Sequence, residues 1–195
     1  MRFARGVTIL AAALFPALSD AASSTPPETR ETAQPRMRYE VVATIKDAPG
    51  PFDSISGIAD YRVVNELCVT PSRLSGVRVV PEKRADIVFK RESPDVYRAV
   101  IYLDLIQDED YFGKGLCHWA LAGTAILLKH NNVTFSPALF HDDVMSGKRV
   151  SRYFAESVYA TAGAMRIDTG VTNRTQFHGN GKLFTVTMKA EGKTP

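Results

Sequence analysis

Apolar and polar positions alternate along much of this chain. In Arg38–Lys46 the apolar face is formed by Tyr39, Val41, Ala43 and Ile45. A period of two places successive side chains on opposite sides of a strand. The same pattern predicts strands at residues 61–64, 86–89, 96–106 and 183–189. The segment 96–106 is rich in β-branched and aromatic residues, which favours a central position in its sheet.

Three segments are harder to assign from their pattern. Residues 116–129 form a long apolar run, which we predict to be a strand because Gly123 weakens a helix and Asn131-Asn132 is typical of a hairpin turn. Ser136-Pro137 predicts a short helix over 137–145 that ends at Gly147. Residues 151–164 fit a helix or a strand.

Several short strands separated by turn residues are typical of an antiparallel domain built around one core. The predicted fold is therefore mainly β (a β-rich α+β class), a single sandwich or barrel-like domain with one or two short helices. The chain has 195 residues, enough for one such core.

The N-terminus has the features of a secretory signal. Arg2 and Arg5 precede the apolar stretch 7–18, and the small residues of Ser19-Asp20-Ala21 predict cleavage after Ala21. We expect residues 1–21 to be a signal peptide and the Ser, Thr, Pro and Glu-rich residues 22–36 to be a flexible leader. The folded domain is predicted to span 37–189, with 190–195 as a flexible tail. Since no later run is apolar over about 18 residues, we expect no membrane insertion after cleavage.

Charge restricts the class of partner. The chain contains 24 Lys and Arg against 21 Asp and Glu. Such a balance is too even for a protein that binds nucleic acid through a concentrated basic surface. We therefore expect no nucleic-acid partner.

Cys68 and Cys117 are the only two cysteines of the chain. In an exported protein two thiols usually pair, and no Cys-x-x-Cys spacing indicates a redox centre. We predict a structural disulfide, with Trp119 packed against it, and a location in the periplasm or outside the cell.

The densest cluster of chemically active side chains follows residue 103. Its acids at 108 and 110 and its glycine at 113 fit half of a calcium-binding loop, but Phe112 and Trp119 occupy positions that require oxygen ligands. We expect no metal site and no cofactor. The acids and adjacent aromatic residues are instead predicted to contact another protein, because aromatic anchors are common at interfaces. These candidate residues are Asp104, Asp108, Glu109, Asp110, Tyr111 and Phe112.

His141 is the best candidate for a catalytic base, because Asp142 and Asp143 follow it and a carboxylate can orient an imidazole. No G-x-S-x-G nucleophile motif accompanies it. We assign no catalytic residues, and a hydrolase with a site assembled from distant residues remains an alternative.

Asn65-Glu66-Leu67-Cys68, together with the run from Asp108 through Gly113-Lys114-Gly115-Leu116-Cys117-His118-Trp119, resembles uncharacterised small secreted proteins of Gram-negative bacteria. Some of these are encoded near contact-dependent secretion systems. The resemblance spans about residues 60–155 and implies a periplasmic location and a toxin-neutralising (immunity) role. It supplies no catalytic residues.

These observations favour a non-enzymatic periplasmic or secreted domain that binds another protein, either an imported toxin or a component of the envelope. The alternatives are the secreted hydrolase and a structural component of an envelope assembly, which would pair through an edge strand.

Overall fold

The computed structural model describes residues 28–178 and 181–193, and it is mainly β. The signal-peptide prediction and the first residues of the predicted leader lie outside these ranges. The strands are β1 (Arg38–Lys46), β2 (Ser54–Val63), β3 (Glu82–Ile87), β4 (Lys90–Ser93), β5 (Val96–Tyr102), β6 (Trp119–His130), β7 (Val133–Phe135), β8 (Ala138–Phe140), β9 (Val150–Ala155), β10 (Arg166–Asp168) and β11 (Leu183–Gly192). Two short helices, α1 (His141–Met145) and α2 (Glu156–Tyr159), complete the fold with 3₁₀ turns at Glu66–Cys68 and Arg174–Gln176.

The strands form two sheets that pack face to face, which confirms the predicted β-rich sandwich. The first sheet has the order β4-β5-β1-β11-β9, and the second has the order β10-β7-β6-β2-β3 with β8 also paired to β6. We call them the first and second sheets. All pairings are antiparallel except that of β10 with β7.

Alternation along the strands builds the core. In β1 and β11 every second side chain is buried, and these residues face the buried side chains of β2 and β6. The largest fully buried side chains are Tyr61, Phe135, Phe154, Phe184, Ile101, Leu121, Ile126, Leu128, Leu139 and Met188. Burying such residues contributes roughly 1.5–3 kcal/mol each, so the sandwich interior is the main source of stability.

The strand predictions hold well where alternation is strict. Residues 116–129 contribute β6, and Asn131, with a φ of 50°, turns the chain into β7. The segment predicted as central supplies β5, which lies second in its sheet because Lys90–Ser93 adds β4 outside it. Residues 151–164 contain both alternatives, a strand and then a helix.

The predicted helix over 137–145 begins later than expected. Residues 138–140 pair with Gly123, Thr124 and Ala125 as β8, so helix α1 starts only at His141. Gly147 follows this helix with a φ of 61°, which agrees with the predicted end of the helix at this glycine.

Ordered contacts extend beyond the predicted domain limits. Residue Glu31 forms an antiparallel bridge with Ile106, and the N–H of Thr32 donates to the carbonyl of Leu105 at 2.7 Å. At the other end, β11 continues to Gly192 and pairs with β1 from Thr185 to Gly192. Part of the predicted leader therefore covers the segment that carries the candidate acids.

None of the helices in the described ranges has the length and apolarity required to span a bilayer.

Candidate functional site

Cys68 and Cys117 form the predicted disulfide, with an S–S distance of 2.01 Å. Both are buried in a small apolar cluster with Val63 and Val69 at one end of the sandwich. Trp119 packs against this cluster, as predicted, and also against the main core. The disulfide joins the turn after β2 to the chain entering β6, and it thereby fixes two loops relative to both strands.

Asn65 adds a second connection between the same two loops. Its side-chain amide donates to the carbonyl of Leu116 at 2.7 Å, and its side-chain oxygen accepts the N–H of His118 at 2.7 Å. The N–H of Val64 also donates to the carbonyl of His118 at 2.9 Å. Hydrogen bonds therefore hold the backbone on both sides of the disulfide.

Three large apolar side chains around this cross-link face solvent. Val64, Leu67 and Leu116 are 57%, 73% and 55% exposed. Each lies next to a residue that is fixed by the disulfide or by Asn65. We call these three residues the disulfide patch. Sequence analysis missed them, although Leu67 and Leu116 each directly precede a cysteine.

The acidic loop, residues 104–112, lies beside the patch, and the structure uses its carboxylates internally. Asp104 accepts the N–H groups of Arg36 and Met37 at 2.8 and 3.0 Å. Glu109 pairs with Arg30 at 3.2 Å, and its carbonyl accepts the N–H of Cys117. Two candidate contact residues therefore hold the N-terminal segment against the domain.

Asp110 caps the tight turn that follows it. Its carboxylate accepts the N–H of Lys114 at 2.9 Å. The N–H donors of Lys114 first, and then those of Gly115, Phe112 and Gly113, hold the pKa of Asp110 below its ordinary value. Gly113 and Gly115 make this turn possible, since their φ values are 65° and 98°.

Asp108 and His118 form an exposed pair at the edge of the patch. The Nδ1 atom of His118 lies 2.6 Å from one carboxylate oxygen, and the other oxygen accepts the N–H of Trp119 at 2.8 Å. A carboxylate at Nδ1 favours the tautomer that carries its proton there, which leaves Nε2 directed away from Asp108. Both residues are present in the sequence, but nothing in the sequence indicates that their side chains are in contact.

The two aromatic candidates point towards the domain rather than fully into solvent. Tyr111 and Phe112 are half-buried and pack against the disulfide cluster. The hydroxyl of Tyr111 donates to the carbonyl of Gln107 at 2.6 Å, and burial raises its pKa. These rings therefore anchor the loop on the domain, whereas the apolar side chains of the disulfide patch face solvent.

His141 lies at a groove on the outer face of the second sheet, which is also lined by Val64 of the disulfide patch. The groove has a volume of about 520 Å³ and is lined by Asp60, Arg62, Phe140 and Asp142 among others. The Nδ1 atom of His141 lies 3.0 Å from the carbonyl of Leu121. Thr124, the one hydroxyl residue lining the groove in the described chain, is buried and donates to the carbonyl of Ile58.

Within residues 28–178 and 181–193, no three side chains of His, Cys, Asp or Glu converge as a possible metal site. The disulfide patch and the adjacent acidic loop combine exposed apolar side chains with the contact residues that the sequence predicted, and we take them as the candidate site. Comparison with known proteins adds no relative, since no family model, no curated protein and no solved structure matches this chain.

Proposed function

We propose that this protein is a non-enzymatic extracytoplasmic domain that binds another protein through the disulfide patch and the adjacent acidic loop. The observation that carries the proposal is the exposure of Val64, Leu67 and Leu116 on a covalently cross-linked frame. Exposed apolar side chains that are surrounded by polar groups are typical of protein-binding surfaces.

The two loops that are held by the disulfide and by Asn65 lower the entropic cost of binding. Disulfide formation and the Asn65 hydrogen bonds fix the backbone of both loops before a partner arrives. Preorganisation of this kind improves affinity because less freedom is lost on association.

The acidic loop contributes charge at the edge of the patch. Asp108 and Asp110 are exposed, and the Arg30 side chain pairs with Glu109 of the same loop at 3.2 Å. We expect this edge to favour a partner with basic residues around an apolar centre, mainly by raising the association rate.

The compartment is part of the proposal. The Cys68–Cys117 disulfide is typical of proteins in an oxidising environment, and the N-terminal sequence predicts export. The sequence resemblance supports the narrower form of the proposal, in which the partner is an imported toxin and this chain is its immunity protein.

Affinity capture from envelope extract tests the binding surface. We expect the wild-type chain to recover a discrete partner and a Leu67→Glu, Leu116→Glu variant to recover about tenfold less, since buried unpaired charge is costly. The matched control is Val88→Glu with Ile167→Glu, at residues that are 74% and 71% exposed elsewhere on the domain. Equal recovery by the patch variant and the control would rule out the disulfide patch as the binding surface.

The immunity form has its own test. The captured protein, directed to the periplasm, is expected to arrest growth, and co-expression of the wild-type chain is expected to restore it. The patch variant should fail to restore growth while remaining folded. A captured protein without toxicity would exclude the immunity role and leave the binding proposal standing.

A further inference from the structure

The outer face of the first sheet carries basic residues that the strand register brings into one row. Lys90 lies opposite Arg98, Arg98 lies opposite Val42, and Val42 lies opposite Lys189. Arg149 extends this row, since the next residue, Val150, lies opposite Met188. Directly opposed residues share a face of a sheet, and adjacent strands are about 4.8 Å apart. Four bases therefore lie in one row across the sheet, with Val42 between Arg98 and Lys189.

Part of this row surrounds a shallow basin, which we call the anion basin. Its volume is about 410 Å³, and its basic lining residues are Lys46, Arg98, Arg149 and Lys189. Glu191 is the only acid that lines it. Glu40 and Glu92 also pair with Arg98, so four bases face three carboxylates and a net charge of +1 remains at the rim.

Two of the four bases lack a carboxylate partner. Arg98 is paired with Glu92 at 2.9 Å and with Glu40 at 3.1 Å, and Lys189 is paired with Glu191 at 2.7 Å. Lys46 and Arg149 are exposed and make no ion pair with any described residue. Lys46 and Arg149 are therefore the two lining bases whose charge no described carboxylate neutralises by direct pairing.

The floor of the basin supplies hydrogen-bonding groups and a small apolar surface. Thr44 and Thr187 lie side by side on neighbouring strands, with Val42 next to them. The Thr187 hydroxyl lies 2.8 Å from that of Ser151. Such a floor can hydrogen-bond ligand hydroxyls while Val42 contacts C–H groups.

We propose that the anion basin binds a phosphorylated sugar. The basic side chains would contact the phosphate groups, with arginine providing paired donors for phosphate oxygens. The threonine hydroxyls and Glu191 would bind the sugar hydroxyls. The volume falls within the range of small-molecule sites. The ligand could come from a free sugar phosphate or from a phosphosugar headgroup of a lipid.

This site is independent of the proposed protein-binding function. The disulfide patch flanks β2 and β6 of the second sheet, whereas the anion basin lies on the outer face of the first. Loss of either function is therefore expected to leave the other intact.

Calorimetric titration with fructose bisphosphate, in about 0.15 M salt, tests the proposal. We expect saturable binding of this probe and none of fructose. A Lys46→Ala, Arg149→Ala variant should raise the dissociation constant about tenfold or more, because it removes two phosphate contacts. The matched control is Arg73→Ala with Lys129→Ala, which removes two exposed bases outside the basin and should change the constant less than about twofold.

A Thr44→Val variant separates a local site from general attraction to positive charge. It keeps the charge and the side-chain shape but removes a hydroxyl from the floor, so we expect about a threefold loss of affinity. Absence of saturable binding would overturn the proposal. Equal losses in the basin and control variants would also overturn it, because they would show attraction by net charge alone.

Vesicle sedimentation distinguishes the source of the ligand. Phosphatidylcholine vesicles that contain phosphatidylinositol monophosphate present a phosphosugar at a membrane, and plain phosphatidylcholine vesicles are the control. Sedimentation that requires Lys46 and Arg149 would support a lipid headgroup, and calorimetric binding without sedimentation would support a free sugar phosphate. Tighter binding to duplex DNA than to either probe would contradict the proposal.

Discussion

At the scale of single residues, the acidic loop stabilises its own backbone. Asp104, Asp108 and Asp110 each accept one or more main-chain N–H groups. The sequence located these acids but could not show this role, since the donors Arg36 and Met37 precede Asp104 by more than 65 residues. Charge reversal at these positions would therefore change both structure and any binding.

Asp110 gives a pH-dependent prediction. Its folded-state pKa is lowered, so its carboxylate stabilises the fold above the unfolded pKa, and this contribution is lost as pH falls through the folded value. We expect Asp110→Asn to lower the melting temperature at neutral pH, and we expect this difference from the wild type to shrink as pH falls through the folded-state pKa.

The control for this pH dependence is Asp95→Asn. Asp95 is exposed, and no hydrogen bond or ion pair of its carboxylate occurs among the described residues. Thermal unfolding followed across the pH range should show no comparable change in this variant. A pH-independent difference between wild type and Asp110→Asn would contradict the capping role.

Tyr61 gives a test within the core. Its side chain is 1% exposed, and its hydroxyl donates to the carbonyl of Tyr102 at 2.7 Å. Burial raises its pKa. Tyr61→Phe should lower the free energy of unfolding by about 1–2 kcal/mol in urea titration, because the carbonyl loses its donor. Tyr39→Phe, at a partly exposed ring, is the control and should change it by less than about 0.5 kcal/mol.

At the scale of elements, strict alternation made β1 predictable to its exact ends, whereas helix α1 depended on tertiary contacts. Ser136-Pro137 indicated a helix start, but 138–140 pair with β6 instead. The carboxylate of Asp143 accepts the N–H of Phe140 at 3.2 Å, which fits a helix that begins at His141. The strand order and the row of basic residues also depend on how distant strands pair, and no local sequence pattern shows that pairing.

Close packing of β8 on β6 depends on Gly123. A Cβ atom at this position would lie 2.9 Å from the carbonyl oxygen of Leu139. We expect Gly123→Ala to lower the free energy of unfolding by about 1–3 kcal/mol, since backbone must shift. Gly163→Ala, where a Cβ would meet only one atom at 3.9 Å, should have little effect in the same chemical denaturation experiment.

The disulfide is the strongest single link between elements. It closes a loop with a sequence separation of 49, and the chain-entropy relation predicts a stabilisation of about 4 kcal/mol. Cys68→Ala with Cys117→Ala should lower the free energy of unfolding by about that amount in guanidinium titration. A change below about 1 kcal/mol would show that hydrogen bonds alone fix these loops.

At the scale of the whole molecule, one sandwich presents two different surfaces. The disulfide patch is apolar with an acidic border, and the anion basin is polar and basic. The small net charge of the chain conceals this separation, because acids and bases are sorted by position in the fold rather than along the sequence. Composition alone therefore led us to expect no concentrated basic surface, although strand pairing assembles one.

The central claim is that the disulfide patch contacts a protein partner, and site-specific photo-crosslinking tests it most directly. A photoreactive phenylalanine analogue would replace Leu67 or Leu116 in the exported full chain, with replacement of Val88 as the control. The account predicts one discrete cross-linked partner from both patch positions and none from Val88. Cross-linking at Val88 alone, or equal cross-linking at all three positions, would contradict it.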